Sequence, residues 1–131
     1  MIRIQQVHHV SLLVSDLVRA RQFYEGILGM APDISRPAMR FDGVWYSPGS
    51  VQIHLLCLPD PAAGVALPEH GGRDRHLALL VNDTGALADA FVRNGISFTT
   101  SSSGRAALFC RDPDGNALEF IQAPVPAEQG C

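Results

Sequence analysis

Five histidines occur in the 131 residues, and four of them fall inside apolar runs that read as strands. His9 stands in VHHVSLLVSD (7–16), His54 in QIHLLC (52–57) and His76 in DRHLALLVND (74–83), while Glu119 stands in ALEFIQ (117–122). Three neutral imidazoles and one carboxylate turned toward a common space can hold a divalent cation. Each ring offers a lone pair, and the cation pairs the carboxylate charge. Left alone on a sheet face, a buried Glu119 would cost on the order of several kcal/mol. A shell of three nitrogens and one oxygen favours Zn, Ni, Fe, Co or Mn over Mg or Ca, which take oxygen shells.

The elements that must position these residues occur twice. VHHVSLLVSD aligns with DRHLALLVND, which sets His9 on His76 and Asp16 on Asp83 at a shared offset of 67. His54 and Glu119 are repeat partners at an offset of 65, a difference that turn lengths absorb. Strand alternation puts His9, Ser11 and Leu13 on one face, against His8, Val10, Leu12 and Val14 on the side that a helix would cover. His76, Ala78 and Leu80 likewise oppose Leu77, Leu79 and Val81. In the last strands, Gln52, His54 and Leu56 oppose Ile53, Leu55 and Cys57, and Ala117, Glu119 and Ile121 oppose Leu118 and Phe120. The four candidate ligands therefore share the concave side of two half-sheets. His8 is expected to be a hydrogen-bonded structural residue, and His70, in a glycine-rich stretch, to be solvent-exposed.

Each first strand leads into a helical pattern. Leu17, Ala20, Tyr24, Ile27 and Leu28 recur at helical spacing, with Ser15 or Asp16 as N-cap and Gly29 as the stop. In the second copy Asp83 caps, Leu87, Ala90 and Phe91 form the stripe, and Asn94-Gly95 ends it. Strand, turn, strand follows in each: GVWYSPGSVQIHLLCL (43–58) and RAALFCRDPDGNALEFIQ (105–122). A shorter strand is expected before each pair, near 32–36 and 97–100. The expected fold is α+β: two tandem βαβββ modules whose mixed sheets curl round a metal site, with helices outside. Module one spans about 5–58, a Pro/Gly/Ala-rich linker or loop 59–73, module two 74–122, and a fraying tail 123–131.

Length and composition bound the rest. A chain of 131 residues with 47% apolar residues builds one compact domain. A net charge of −3 offers nucleic acid no basic surface, and no apolar run reaches the ~18 residues of a membrane span. Cys57, Cys110 and Cys131 are odd in number and lack CxxC spacing, which fits reduced thiols in the cytoplasm.

HHVSLLVSDLVRARQFYEGILGM, QIHLL, RHLALLVND and DPDGNALEFIQ together resemble the vicinal oxygen chelate superfamily over about 5–122. This group includes glyoxalase I, extradiol dioxygenases, methylmalonyl-CoA epimerase, fosfomycin-resistance thiol transferases and metal-free bleomycin-binding proteins. The resemblance implies a single vicinal oxygen chelate domain with His9, and not His8, as first-strand ligand, and with His54, His76 and Glu119 completing the set. It implies a metal-dependent, glyoxalase I-like lyase or isomerase acting on a small molecule chelated through adjacent oxygens. Glu119 is the ligand that also moves the proton, and a homodimer is expected. An extradiol dioxygenase using His9, His76 and Glu119, or a bleomycin-resistance-like binding protein, is the alternative. The sequence departs from the glyoxalase pattern at two places. His stands at position 54, where those enzymes place a second glutamate, and Leu13 stands where glutathione-using bacterial members carry arginine.

Overall fold

The β-branched and leucine-rich runs form strands whose parallel partners are distant in sequence, so each half of the chain closes on itself. A computed structural model describes residues 1–125; the end of the expected tail, with Cys131, lies outside the described residues. The chain divides into two compact units, Met1–Val65 and a second beginning at Ala66.

In the first unit, β1 (His9–Val14), β2 (Gly43–Tyr46) and β3 (Gln52–Cys57) form a sheet in the order β1-β3-β2. β1 runs parallel to β3, with His9 opposite Gln52 and Ser11 opposite His54, and β2 runs antiparallel to β3, with Trp45 opposite His54. The strand expected near 32–36 contracts to a single bridge between Pro32 and Tyr46. Proline has no N–H to donate to a ladder. Directly after it, the Asp33 carboxylate turns back to accept the Ser35 N–H at 2.9 Å, which bends the chain out of the sheet.

The helix of this unit begins as expected. Asp16 is the N-cap, its Oδ1 accepting the Arg19 N–H at 3.0 Å, and α1 covers Leu17–Arg21. It then widens into a π-helical turn over Gln22–Ile27, with the Leu28 N–H reaching the Phe23 carbonyl at 3.0 Å. The wider turn buries the neighbours Phe23 and Tyr24 together, and the Phe23 contribution was not visible in the 3.6-residue spacing. Gly29 ends the helix at φ +73°, a backbone setting that glycine adopts without strain. Tyr24 and Tyr46 rings stack at 5.9 Å in a core with Val14, Val44, Ile53 and Leu55, the face that alternation assigned to the helix.

The second unit holds β4 (His76–Val81), α2 (Thr84–Arg93), β5 (Phe98–Thr100), β6 (Ala107–Arg111) and β7 (Ala117–Gln122). Its sheet order is β4-β7-β6-β5, so the short strand expected near 97–100 is present. Asp83 caps α2 through the Ala86 N–H at 3.0 Å. Phe91, fully buried, meets Phe98 and Phe120, each at 5.8 Å between ring centroids. The β4–β7 register sets His76 opposite Ala117 and Ala78 opposite Glu119. That is the register of β1 and β3 shifted by the repeat.

The glycine-rich linker is ordered where it nears β4. A 3-10 turn at Gly71–Arg73 buries Gly71, and Arg111 ties the segment to the sheet through Asp74 at 2.8 Å and the Pro68 carbonyl at 2.6 Å. His70 corrects its expectation. It is half-buried rather than solvent-exposed, its Nδ1 accepting the Gly72 N–H at 3.0 Å and its Nε2 donating to the Thr100 carbonyl at 3.1 Å. Small glycines let the turn lie close enough for both bonds. Among the described residues, no helix is long and apolar enough to cross a membrane.

Candidate functional site

Each half-sheet brings two of the expected ligands into contact on the face away from its helix. In the first unit His9 and His54, diagonal neighbours across β1 and β3, stack with ring centroids 4.2 Å apart and planes 14° apart. Trp45 stacks on His54 at 4.1 Å and 6°, so three parallel rings run across three strands. His54 is 8% exposed. Burial lowers its pKa below the ordinary 6.5, and the nearby positive potential of His9, His8 and Arg36 lowers it further.

A polar chain fixes the tautomer of that ring. Asp33 can only accept, so Gln52 turns its amide nitrogen toward Asp33 Oδ2, a long 3.4 Å contact, and its Oε1 toward His54. His54 Nε2 lies 2.9 Å from that oxygen and must carry the proton. Its Nδ1 therefore keeps the lone pair. Asp33 itself is held down to about 2 by hydrogen bonds from Ser35, side chain first and backbone second, then from the Ser47 hydroxyl. His8 is hydrogen-bonded, as expected, and its partner is a candidate ligand: its Nδ1 lies 2.8 Å from Nδ1 of His9.

In the second unit His76 Nδ1 lies 2.9 Å from the Asp74 carbonyl oxygen. Its Nε2 sits 3.2 Å from Oε1 of Glu119, which is 3% exposed. Both ring nitrogens thus face acceptors. The contact with Glu119 is attractive when Nε2 carries the ring proton or when a metal ion lies between the two. A histidine whose second nitrogen is held by a backbone carbonyl is oriented as metal-ligating histidines are. Two ligand atoms, each ~2.1 Å from an ion at tetrahedral or octahedral angles, lie about 3.0–3.5 Å apart, so the 3.2 Å spacing suits one edge of a coordination shell. His76 also meets the Phe109 ring edge-on at 5.4 Å, and Phe109 lies opposite Glu119 in the β6–β7 register, as Trp45 lies opposite His54.

The other Glu119 oxygen is taken. Arg105 Nη2 reaches Oε2 at 2.9 Å, so the buried carboxylate does not depend on a metal for its counter-charge. Sequence reasoning missed Arg105, because it lies in the SSSGRAA stretch outside any periodic element. It missed Trp45 and Gln52 for a different reason: both sit on the ligand face, and alternation marks the face but not which neighbours touch. The first-unit pair fits an ion less directly than the second. Lone pairs of two nearly parallel rings run in separate planes, so His9 and His54 must unstack before both can meet one ion. Among the described residues, no group of three or more His, Cys, Asp or Glu side chains converges.

The family model for the Glyoxalase/Bleomycin resistance protein/Dioxygenase superfamily matches residues 6–120. "Glyoxylase I 4" from Arabidopsis thaliana is 27% identical over 125 residues, covering 91% of this chain and 71% of that protein. "Lactoylglutathione lyase" from Haemophilus influenzae is 30% identical over 129 residues, covering 89% of this chain and 92% of that protein. Among solved structures, TnmS3, an antibiotic binding protein from Streptomyces sp. CB03234, superposes with a TM-score of 0.68 at 19% identity, covering 95% of this chain and all of that one (100%). That likeness concerns the fold.

Proposed function

Because the chain belongs to the glyoxalase, bleomycin resistance protein and dioxygenase superfamily, we propose that it is a metal-dependent, glyoxalase I-like lyase or isomerase. It would act on a small molecule that presents two adjacent oxygens. His9, His54, His76 and Glu119 would hold a divalent transition metal, Zn, Ni, Fe, Co or Mn. The observation that carries this reading is the His76–Glu119 contact of 3.2 Å, with the far side of the ring anchored on the Asp74 carbonyl. A bound divalent ion supplies positive charge to substrate oxygens as negative charge builds on them.

The chain's own residues supply the remaining steps. Glu119 is the one carboxylate in the set, and in its low-dielectric position on β7 it can carry a proton between adjacent substrate carbons. With a metal on Nε2, the Asp74 carbonyl would accept the proton that His76 then carries on Nδ1. The Asp33–Gln52 chain does the same for His54, presenting Nδ1. Assembly as a homodimer and a cytoplasmic location belong to the same proposal; the free thiols of Cys57 and Cys110 suit a reducing compartment.

One observation favours a second reading. Arg105 already neutralises Glu119, so the polar set can stand without metal, as in a small-molecule binding protein. Elemental analysis of protein purified without added metal, followed by assay of the methylglyoxal and glutathione adduct with metal restored, separates the two. The enzyme reading expects a bound transition metal of that set and thioester formation that is at most weak in the native chain and is abolished by Glu119→Gln. His54→Glu, which supplies the second carboxylate of the glyoxalase pattern, should raise that activity, since a positioned base is worth ~10²- to 10⁴-fold. Protein that takes up no metal and forms no thioester would transfer the assignment to the binding reading.

A further inference from the structure

Glu119 carries one negative charge at a position 3% exposed, and two cationic or proton-bearing groups approach it from different sides. His76 Nε2 faces Oε1 at 3.2 Å and Arg105 Nη2 faces Oε2 at 2.9 Å. The two partners are held very differently. His76 lies on β4 with its second nitrogen anchored at Asp74, whereas Arg105 rises from a serine-rich loop outside the strands. That loop is closed by its own short contacts, Ser101 Oγ to Ser103 Oγ at 2.7 Å and the Ser103 N–H to Ser101 Oγ at 3.2 Å. The Arg105 side chain is 57% exposed, so its guanidinium can leave the carboxylate for water without crossing packed structure.

The geometry points to Arg105 as a displaceable counter-ion that competes with the metal for Glu119. It pairs with Oε2 while the metal is absent and is driven off by like-charge repulsion when a divalent ion binds beside it at Oε1. This inference rests on the metal-centre reading above. A guanidinium bonded to one carboxylate oxygen and a divalent ion on the other would be like charges a few ångströms apart in a partly buried site, where screening is weak. Such a pair either separates or lowers the affinity for the ion. The arrangement also explains how a buried carboxylate tolerates the metal-free state: removal of the ion leaves it paired rather than bare.

The test is the affinity of the metal-free full chain for Zn²⁺ and Co²⁺, measured by competition with a chromogenic chelator. Arg105→Gln keeps a donor but removes the charge, and it should bind either ion about tenfold more tightly or better, the weight of one charge-assisted hydrogen bond. Arg105→Lys keeps the charge and should stay close to wild type. A second measurement needs no variant. Modification of Arg105 by phenylglyoxal, followed by mass spectrometry with exposed Arg3 as internal control, should accelerate severalfold when Zn²⁺ is bound. Wild-type protein that binds metal, with Arg105→Gln no tighter and Arg105 modified no faster, overturns the inference and leaves the metal centre standing. Failure of the wild type and of Arg105→Gln alike to bind either ion overturns both.

Discussion

Replacing Gln52 by leucine tests whether the Asp33–Gln52–His54 chain is what orders the first-unit histidines. The side chain keeps its approximate volume but can no longer accept from His54 Nε2, now 2.9 Å from Gln52 Oε1. His54 is 8% exposed, so water replaces the lost partner poorly, and an unsatisfied donor of this kind costs ~1–3 kcal/mol. With an unfolding entropy of ~2.1 cal/mol/K per residue, 131 residues give about 0.28 kcal/mol/K, and the expected fall in Tm is ~4–11 °C. Calorimetry on metal-free protein, well above the ordinary imidazole range, measures it. Long-range ¹⁵N–¹H correlation reads the tautomer in the same sample. Wild type should show His54 as the Nε2–H form, and Gln52→Leu a mixture or the Nδ1–H form. A variant within about 1 °C of wild type, or a wild-type ring protonated at Nδ1, would refute the reasoning.

Alanine at His9, His76 or Glu119 should remove most of the metal affinity measured by chelator competition, whereas alanine at His8 should not; equal losses at His8 and His9 would mean that the ligand face has been misassigned. Acid should destabilise the chain in two windows. His54 has a lowered folded-state pKa, so its contribution is fully present above its ordinary value near 6.5 and fades as pH falls below it; the Asp33 contribution is present above its ordinary 3.8 and is lost as pH falls toward about 2. Chemical denaturation across pH checks both windows, and Gln in place of His54 should flatten the upper one. Sedimentation at micromolar concentration should find a homodimer, and a metal-loaded active monomer would exclude it.

The positions of the candidate ligands were legible because a strand has period two and the module occurs twice. Those two regularities place His9 with His54, and His76 with Glu119, in matching registers. What lay outside a period was not legible. Phe23 enters the core through a π-helical turn, and nothing in the 3.6-residue spacing signals a wider one. Pro32 reduced an expected strand to one bridge, a result its missing N–H permits but does not dictate. Arg105 escaped because the cost of burying Glu119 requires some positive partner without saying which. A loop arginine 14 residues away satisfies the same electrostatic demand as a metal.

The column of His9, His54 and Trp45 has an optical consequence. The chain contains a single tryptophan, and its indole lies 4.1 Å from the face of His54, close enough for excited-state quenching by an imidazolium. Intrinsic emission of this protein therefore originates beside a candidate ligand. Anything that unstacks His9 from His54, protonates His54 or places an ion at its Nδ1 will alter the brightness of Trp45, so an unlabelled sample reports the state of that half-sheet in real time.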